Sequence, residues 1–210
     1  MQNPKLCGDI VREIKKVTDK PITAKIRLGW DEHSINYLEV IKELEEAGIA
    51  AIGIHARTKK EMYLGTPHFD MLKGLRKKMN VPLMISGNIY TLDDAINAME
   101  ITGADAVMVA RGGVGNPFLI KQIDHYIKTG EKLLGPSLKE QIQWCLELAD
   151  FMIKEKGEAK GMRIYRGIAS KFFWGFPNVK AVKAKLSNEL VTREDLVRVL
   201  DEIKHEQNID

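Results

Sequence analysis

Cationic residues and glycines follow four short apolar runs. These residues are the part of the sequence best suited to bind an anion. Read in chain order, the residues at the ends of these runs are Lys25, Arg27, His55, Arg57, Ser86, Gly87, Asn88, Arg111 and Gly112. In parallel α/β folds, ligands bind beyond the carboxyl ends of successive strands. One such residue would mean little, because strand ends lie near solvent, but four consecutive ends predict a single anionic ligand.

The sharpest local signal is the segment 105–117, in which an apolar run leads into three glycines and then Pro117. Glycines let backbone amides approach a phosphate closely, and the N-terminus of a following helix adds a favourable field. In barrels, a phosphate site of this kind follows the late strands. The alternative is a tight turn between strand and helix that holds no ligand.

Two of these residues have a second interpretation. Lys25 lies between Ala24 and Ile26, and a buried ammonium is costly unless it is paired, so we expect it to face a ligand or a carboxylate. The alternative is a lysine that extends its amine into solvent from the strand end. His55 also fits a core histidine bonded to backbone, although Arg57 two residues later favours a functional role.

A strongly basic segment lies between residues 156 and 185. It contains eight basic residues and one acid, a net charge of +7 against +3 for the whole chain. Such segregation is typical of a surface that binds a phosphate backbone, and the interleaved aromatic residues offer stacking partners for bases. Helical core packing for most of these aromatics, and a solvated basic face without a partner, are the alternatives.

The elements that must position these residues follow from the apolar pattern. The four apolar runs, at 22–27, 50–55, 81–86 and 105–110, have the length and β-branched content of strands buried in a parallel sheet. Helical spacing occurs at 4–17, 34–47, 71–79 and 92–99. The repeat is that of a βα unit, and a full barrel needs about 250 residues. We therefore predict an α/β fold, the C-terminal half of a TIM (β/α)8 barrel.

The pattern changes after Gly135 and Pro136. Ser137 with Glu140 three residues later predicts a capping box at the start of a helix, and no strand pattern follows it. We therefore predict two domains, a partial barrel at 1–135 and an all-helical domain at 136–210.

Composition excludes several classes of protein. Hydrophobic residues make up 44% of the chain and charged residues 29%, which excludes a disordered or collagen-like chain. No apolar run approaches the roughly 20 residues that a membrane span needs, and the N-terminus lacks a secretory signal. Cys7 and Cys145 fit helix packing and a reducing cytoplasmic setting. No metal-binding motif is found, so we expect no metal site.

Six segments taken together resemble the bacterial tRNA-dihydrouridine synthases, most closely the B subfamily. They are KIRLGW (25–30), IHART (54–58), YLGTPHFD (63–70), ISGNI (85–89), GADAVMVARGGVGNP (103–117) and AKGMRIYR (159–166). The resemblance implies an FMN-containing barrel and a helical domain that grips tRNA. It also implies that NADPH reduces the flavin, which then reduces uridine in tRNA to 5,6-dihydrouridine.

The resemblance also implies roles for individual residues. Lys25 would contact the isoalloxazine and stabilise negative charge near N1 of the reduced flavin. The other residues implied to bind FMN are Arg27 and His55 on the flavin side, and Ser86, Gly87, Asn88, Ala110, Arg111 and Gly112 around the ribityl phosphate. Arg57 would face the uridine or its phosphate. The implied contacts with tRNA are Lys160, Arg163, Arg166 and Lys171.

The family's N-terminal part, with its catalytic cysteine, has no counterpart among these residues. Cys7 lies in the helix after that cysteine's loop and does not replace it, so the resemblance implies no catalytic residue in this chain. We expect the isolated chain to bind FMN poorly and not to reduce uridine unless a second chain completes the barrel. Two other functions stay open: a non-catalytic RNA-binding module, or another FMN- or phosphate-binding barrel acting on a small metabolite.

Overall fold

The computed structural model describes residues 2–176 and 180–206. The chain divides into two compact units between Arg111 and Gly112. This division lies earlier than the predicted boundary near residue 135, because the segment after the fourth strand packs with the helices that follow it. The division into functional domains at 1–135 and 136–210 stays a prediction.

The first unit is built on a four-stranded parallel sheet. Its strands are β1 (Thr23–Arg27), β2 (Ala51–His55), β3 (Leu83–Ser86) and β4 (Ala106–Val107), in the order β1-β2-β3-β4. Each strand pairs with its neighbour in sequence, as consecutive strands of a barrel do. The observed architecture is thus a parallel α/β fold consistent with part of a TIM-like barrel. All four predicted strands are present, although β4 has two residues where six were predicted.

Three α-helices accompany the sheet. They are α1 (Pro4–Lys15), α2 (Tyr37–Glu46) and α3 (Leu92–Thr102). At the start of α3, Thr91 and Asp94 form a capping box that satisfies backbone amides on both sides. The predicted helix at 71–79 is wrong: two short 3-10 helices, Phe69–Leu72 and Leu75–Lys78, take its place. Gly74 separates them at a φ of +66°, in the left-handed region, which interrupts α-helical geometry.

Strand register assigns the side chains of the sheet to two faces. Ile26, Ile54 and Ile85 lie in one row and are buried in the core of the unit. The next row on the opposite face contains Arg27 and its partner His55. Because neighbouring rows point to opposite faces, the hydrophobic core and the cationic residues are separated by the sheet itself.

The second unit contains five α-helices among its described residues. They are α4 (Phe118–Thr129), α5 (Leu138–Lys156), α6 (Glu158–Ala169), α7 (Lys180–Asn188) and α8 (Arg193–Glu206). The predicted capping box is confirmed, since Ser137 Oγ accepts the Glu140 amide at 3.3 Å and Glu140 accepts the Ser137 amide at 2.8 Å. Pro117 immediately precedes α4, as predicted. None of the helices in residues 2–176 and 180–206 is long and apolar enough to cross a membrane.

The basic segment supplies much of the hydrophobic core of this unit. Tyr165, Phe172 and Phe173 are buried, together with Met162 and Leu186. The phenol of Tyr165 donates to the Cys145 carbonyl oxygen at 2.5 Å. Core packing therefore accounts for most of the interleaved aromatics, whereas Trp174 is 66% exposed.

The third glycine of the segment 105–117 is explained by packing within the second unit. Gly115 has a φ of +75°, and a Cβ at this position would lie 2.5 Å from the Lys171 carbonyl carbon and 2.6 Å from the Phe172 nitrogen. Two stretches of backbone therefore approach each other closely here. Gly115 is required for this approach whether or not the segment binds a phosphate.

The close approach at Gly115 can be separated from backbone strain with a matched pair of variants. Gly130 has nearly the same φ, +74°, but a Cβ there would meet no atom within 4 Å. Gly130→Ala should therefore lower the free energy of unfolding by about 1 kcal/mol through strain alone. Gly115→Ala should cost about 2 kcal/mol more because the added methyl group meets backbone. Urea unfolding followed by circular dichroism measures both, and equal losses would contradict the packing role.

Candidate anion-binding site

The predicted cationic residues come together at the carboxyl ends of the strands of the first unit. Arg27 ends β1 and His55 ends β2, and they are register partners. The charges of Arg27, Lys25, Arg57 and Arg111 all act on the His55 ring. The sheet therefore concentrates positive charge in one region, as the sequence predicted.

Lys25 lies on β1, exposed, on the same face as Arg27. Partial burial, and secondarily the charge of Arg27, lower its pKa. Its amine makes no hydrogen bond or ion pair with any of the residues that the structure describes. The carboxylate that we considered as one partner is thus absent from the described residues, which leaves the ligand or solvent.

Arg27 joins β1 to the loop that follows β2. Its Nη1 donates to the Thr58 carbonyl oxygen at 2.6 Å and to the Met62 carbonyl oxygen at 3.1 Å. The guanidinium carbon lies 5.9 Å from the centroid of the Tyr63 ring, within the range of a cation–π interaction. We refer to residues 59–68 as the 59–68 loop.

Among the described residues, Arg57 is the largest side chain with no solvent exposure. Its Nε donates to the Leu64 carbonyl oxygen at 2.9 Å, and its Nη2 donates to the Gly65 carbonyl oxygen at 2.5 Å. Burial, followed by the nearby charge of Arg111, lowers its pKa, but an arginine stays charged in such surroundings. The predicted contact with substrate stays a prediction, and the resolved contacts of Arg57 are to the 59–68 loop and to His55.

His55 is 7% exposed, and its Nε2 lies 3.4 Å from Arg57 Nη1. Burial, followed by the charges of Arg27, Lys25, Arg57 and Arg111, lowers its pKa to about 4. The ring is therefore neutral at pH 7. His55 enters the site as a hydrogen-bonding group and not as a further cation.

The turn after β3 is held close to His55 and to Arg111. A Cβ on Gly87 would lie 3.0 Å from the Pro67 side chain and 3.3 Å from His55 Cδ2, and its φ is +136°. Ser86 is buried beside it. Asn88 adopts a φ of +48°, and its Oδ1 accepts a hydrogen bond from Arg111 Nη2 at 3.1 Å. The turn therefore links the ends of β3 and β4.

Two aromatic residues complete the site, and sequence analysis did not assign them to it. The Arg111 guanidinium lies 4.9 Å from the Tyr63 ring centroid and 5.4 Å from that of Tyr90. Tyr63 is 59% exposed and thus lies between two arginines, Arg27 and Arg111. The signal that pointed to Tyr63 was its place in the segment 63–70; nothing in the sequence paired it with either arginine.

Ala110 and Gly112 flank Arg111 in the chain. Ala110 is exposed, whereas Gly112 is buried within the short 3-10 helix Arg111–Gly113. Their predicted contact with a phosphate stays a prediction.

The acidic residues of the neighbouring cavity are engaged by other groups. Glu61 accepts the Thr58 amide at 2.5 Å and contacts His68 at 2.5 Å. Although burial alone would raise the pKa of Glu61, these hydrogen bonds lower it to about 2. Hydrogen bonds from Lys60 and Ser34 likewise lower the pKa of Asp31 to about 2. Both carboxylates line a cavity of about 580 Å³ beside the 59–68 loop.

The basic residues predicted to contact tRNA lie on and just after α6. Lys160, Arg163 and Lys171 are exposed. Arg166 is partly buried, and its Nε donates to the Leu190 carbonyl oxygen. Lys160 and Arg163 are three residues apart and therefore lie on one side of α6.

The chain is similar to known proteins over nearly its whole length. A family model described as dihydrouridine synthase matches residues 1–208. A tRNA-dihydrouridine synthase B of Shewanella oneidensis is 36% identical over 79% of this chain and 52% of the relative. A probable tRNA-dihydrouridine synthase of Rickettsia bellii is 32% identical over 97% of this chain and 61% of the relative. The chain spans about half the length of the curated relatives that it matches.

Among solved structures, a mandelate oxidase mutant covers 93% of this chain and 59% of its own, at 15% sequence identity. The TM-score of this match is 0.34.

Burial and the surrounding cations should make His55 titrate far below an ordinary histidine. Its pKa of about 4, against an ordinary 6.5, means that the unfolded chain binds the proton more readily between these values. The stability that neutral His55 contributes is complete above pH 6.5 and is lost progressively as the pH falls to 4. We expect NMR titration of the His55 ring to give a midpoint near 4, and Arg111→Ala to raise it. A midpoint near 6.5 would show that the cations do not act on the ring.

Proposed function

The chain belongs to the dihydrouridine synthase family, and we propose that it acts in the reduction of uridine in tRNA to 5,6-dihydrouridine. In this proposal FMN is the bound cofactor, NADPH is the reductant, and the reaction takes place in the cytoplasm. The first unit corresponds to the C-terminal half of a TIM (β/α)8 barrel and the second to a helical tRNA-binding domain. One observation carries the proposal: cations from successive strand ends converge with no carboxylate paired to Lys25 or Arg57 among the described residues.

The residues present fit a flavin phosphate. A phosphate monoester carries roughly −1.5 to −2 charges at pH 7, which matches the positive charge that Lys25, Arg27, Arg57 and Arg111 concentrate around His55. Asn88 and Arg111 are already joined by a hydrogen bond at the carboxyl ends of β3 and β4. We assign the ribityl phosphate to the two segments that this hydrogen bond joins. They are Ser86, Gly87 and Asn88 after β3, and Ala110, Arg111 and Gly112 after β4. When bound, FMN supplies the hydride chemistry that no protein side chain provides.

Three side chains act on the flavin side of the proposed site. Lys25 and Arg27 place two positive charges on one face of β1, where they favour negative charge on a bound ligand. Hydrogen bonds to carbonyl oxygens hold Arg27 in place before any ligand arrives. Neutral His55 contributes a hydrogen bond without adding charge. Preorganised groups of this kind need little rearrangement when the ligand binds.

The exposed basic residues of the second unit suit a polyanion. Lys160, Arg163 and Lys171 extend into solvent, where they are free to neutralise phosphates of a nucleic acid backbone. We include Arg166 in the tRNA contact, with its Nε bonded to Leu190 as an anchor for the remaining guanidinium nitrogens. The +7 charge of residues 156–185 has no purpose in an enzyme of small metabolites, and it favours an RNA substrate.

Flavin binding tests the first part of the proposal. We expect the full chain to bind FMN weakly, and riboflavin, which lacks the phosphate, more weakly still. Arg111→Ala should weaken FMN binding about tenfold, because a charge-assisted hydrogen bond contributes about 1.5–3 kcal/mol, and should leave riboflavin unaffected. Titration with flavin fluorescence measures both, with Lys42→Ala on α2 as a control for loss of an exposed charge. Equal affinity for FMN and riboflavin would contradict the assignment of a phosphate site.

Salt-dependent tRNA binding tests the second part. Each phosphate contact contributes about 0.7–0.9 to the slope of log K against log salt concentration. The double variant Lys160→Ala, Arg163→Ala should therefore lower the slope by about 1.4–1.8 and weaken binding at low salt. The matched control is Lys73→Ala, Lys77→Ala, two exposed lysines of the first unit. Fluorescence anisotropy with labelled tRNA gives the slopes, and equal slopes for both double variants would refute the assignment.

A further inference from the structure

Arg57 is a buried cation without a carboxylate partner among the described residues. Its guanidinium has no solvent exposure, and its three nitrogens contact the Leu64 carbonyl oxygen, the Gly65 carbonyl oxygen and His55 Nε2. Taking a charge out of water is expensive unless other groups satisfy its donors. Here backbone dipoles and a ring nitrogen do so, which ties the position of Arg57 to the loop and to His55.

The contact with His55 determines how that ring is protonated. An arginine has five N–H donors and no acceptor, so the hydrogen bond of 3.4 Å between Arg57 Nη1 and His55 Nε2 requires Nε2 to accept. In a neutral imidazole the other nitrogen, Nδ1, then carries the proton. Nδ1 has no hydrogen-bond partner within the part of the chain that the structure describes.

The contacts with Leu64 and Gly65 determine the shape of the 59–68 loop. Arg57 donates hydrogen bonds to these two carbonyls of the loop. Arg27 donates to the Thr58 carbonyl just before the loop and to the Met62 carbonyl within it. Tyr63 lies between the two anchored points and next to His55, with ring centroids 6.2 Å apart. The face that Tyr63 presents beside Arg111 therefore depends on arginine contacts to backbone.

We propose that Arg57 is a positioning residue that sets the neutral Nδ1–H tautomer of His55 and shapes the 59–68 loop, and that it does not itself contact the substrate. This assignment depends on the proposed function only for the identity of the ligand that binds at the site. It replaces a direct contact of Arg57 with uridine or phosphate, because the side chain has no solvent exposure and each of its three nitrogens contacts a group inside the protein. His55 then presents Nδ1–H to a hydrogen-bond acceptor on the ligand.

The first test needs no variant. Long-range nitrogen–proton correlation spectra of the full chain at pH 7, without flavin or nucleotide, show which nitrogen of each imidazole carries the proton. We expect His55 Nδ1 to be protonated and Nε2 to be unprotonated. Protonation at Nε2 would overturn the proposal directly.

The second test compares Arg57→Lys with Lys42→Met. A lysine keeps the charge but cannot reach two carbonyls and an imidazole with a planar fork. We expect Arg57→Lys to mix the two tautomers and to speed hydrogen exchange at the Leu64 and His68 amides at least tenfold. The Ile52 and Ile54 amides of β2 should be unchanged. Lys42→Met, which removes an exposed charge on α2, should leave both the tautomer and the loop amides unchanged.

The outcomes separate three roles for Arg57. Unchanged exchange and tautomer in Arg57→Lys would overturn the proposal and restore a direct contact with the ligand. Faster exchange throughout β2 as well would mean a general role in folding, which also overturns it. Both readouts are taken without ligand. Failure of the chain to bind FMN or tRNA would therefore contradict the proposed function without affecting the test of Arg57.

Discussion

Positive charge concentrated at the carboxyl ends of the strands is the constraint on which the structure of the first unit depends. Lys25, Arg27, Arg57 and Arg111 act together on His55, and groups of like charge raise each other's energy unless something compensates them. Burial and, after it, these charges keep His55 neutral and lower the pKa values of Lys25 and Arg57. Such an arrangement costs stability in the absence of an anion, and functional sites commonly tolerate that cost.

Backbone carbonyl oxygens are the groups that compensate this charge within the protein. Arg27 contacts two of them and Arg57 another two, all in or next to the 59–68 loop. A carbonyl is a dipole and not a counter-charge, so it satisfies the donors of a guanidinium while leaving the net positive charge available to a ligand. The hydrogen bonds of Glu61 and Asp31 go to other partners, although the charge of Glu61 offsets part of the effect of burial on the pKa of Arg57. The shape of the loop is therefore set by the hydrogen bonds that Arg27 and Arg57 donate to backbone carbonyls.

The parts of this site that were predictable from sequence are those set by local pattern. Apolar runs and the helical spacing between them predicted four parallel strands, and hence that Lys25, His55 and Arg111 would meet at strand ends. The 59–68 loop and the burial of Arg57 were not predictable, because both depend on hydrogen bonds between residues that periodicity does not relate. The helix predicted at 71–79 failed for a local reason: apolar spacing continued across Gly74, and only its left-handed φ divided the segment.

The two groups of basic residues differ in burial, and this difference separates the ligands they suit. Arg27 and Arg57 are bonded to backbone carbonyls, and Arg57 has no exposure, so salt screens the field of Arg57 little. They suit one compact anion held in a defined orientation. Lys160 and Arg163 are exposed on a helix, where salt screens them strongly and several orientations are available. They suit a polymer that brings many phosphates and releases counterions. Raising the salt concentration should therefore weaken binding of RNA well before it weakens binding of the small anion.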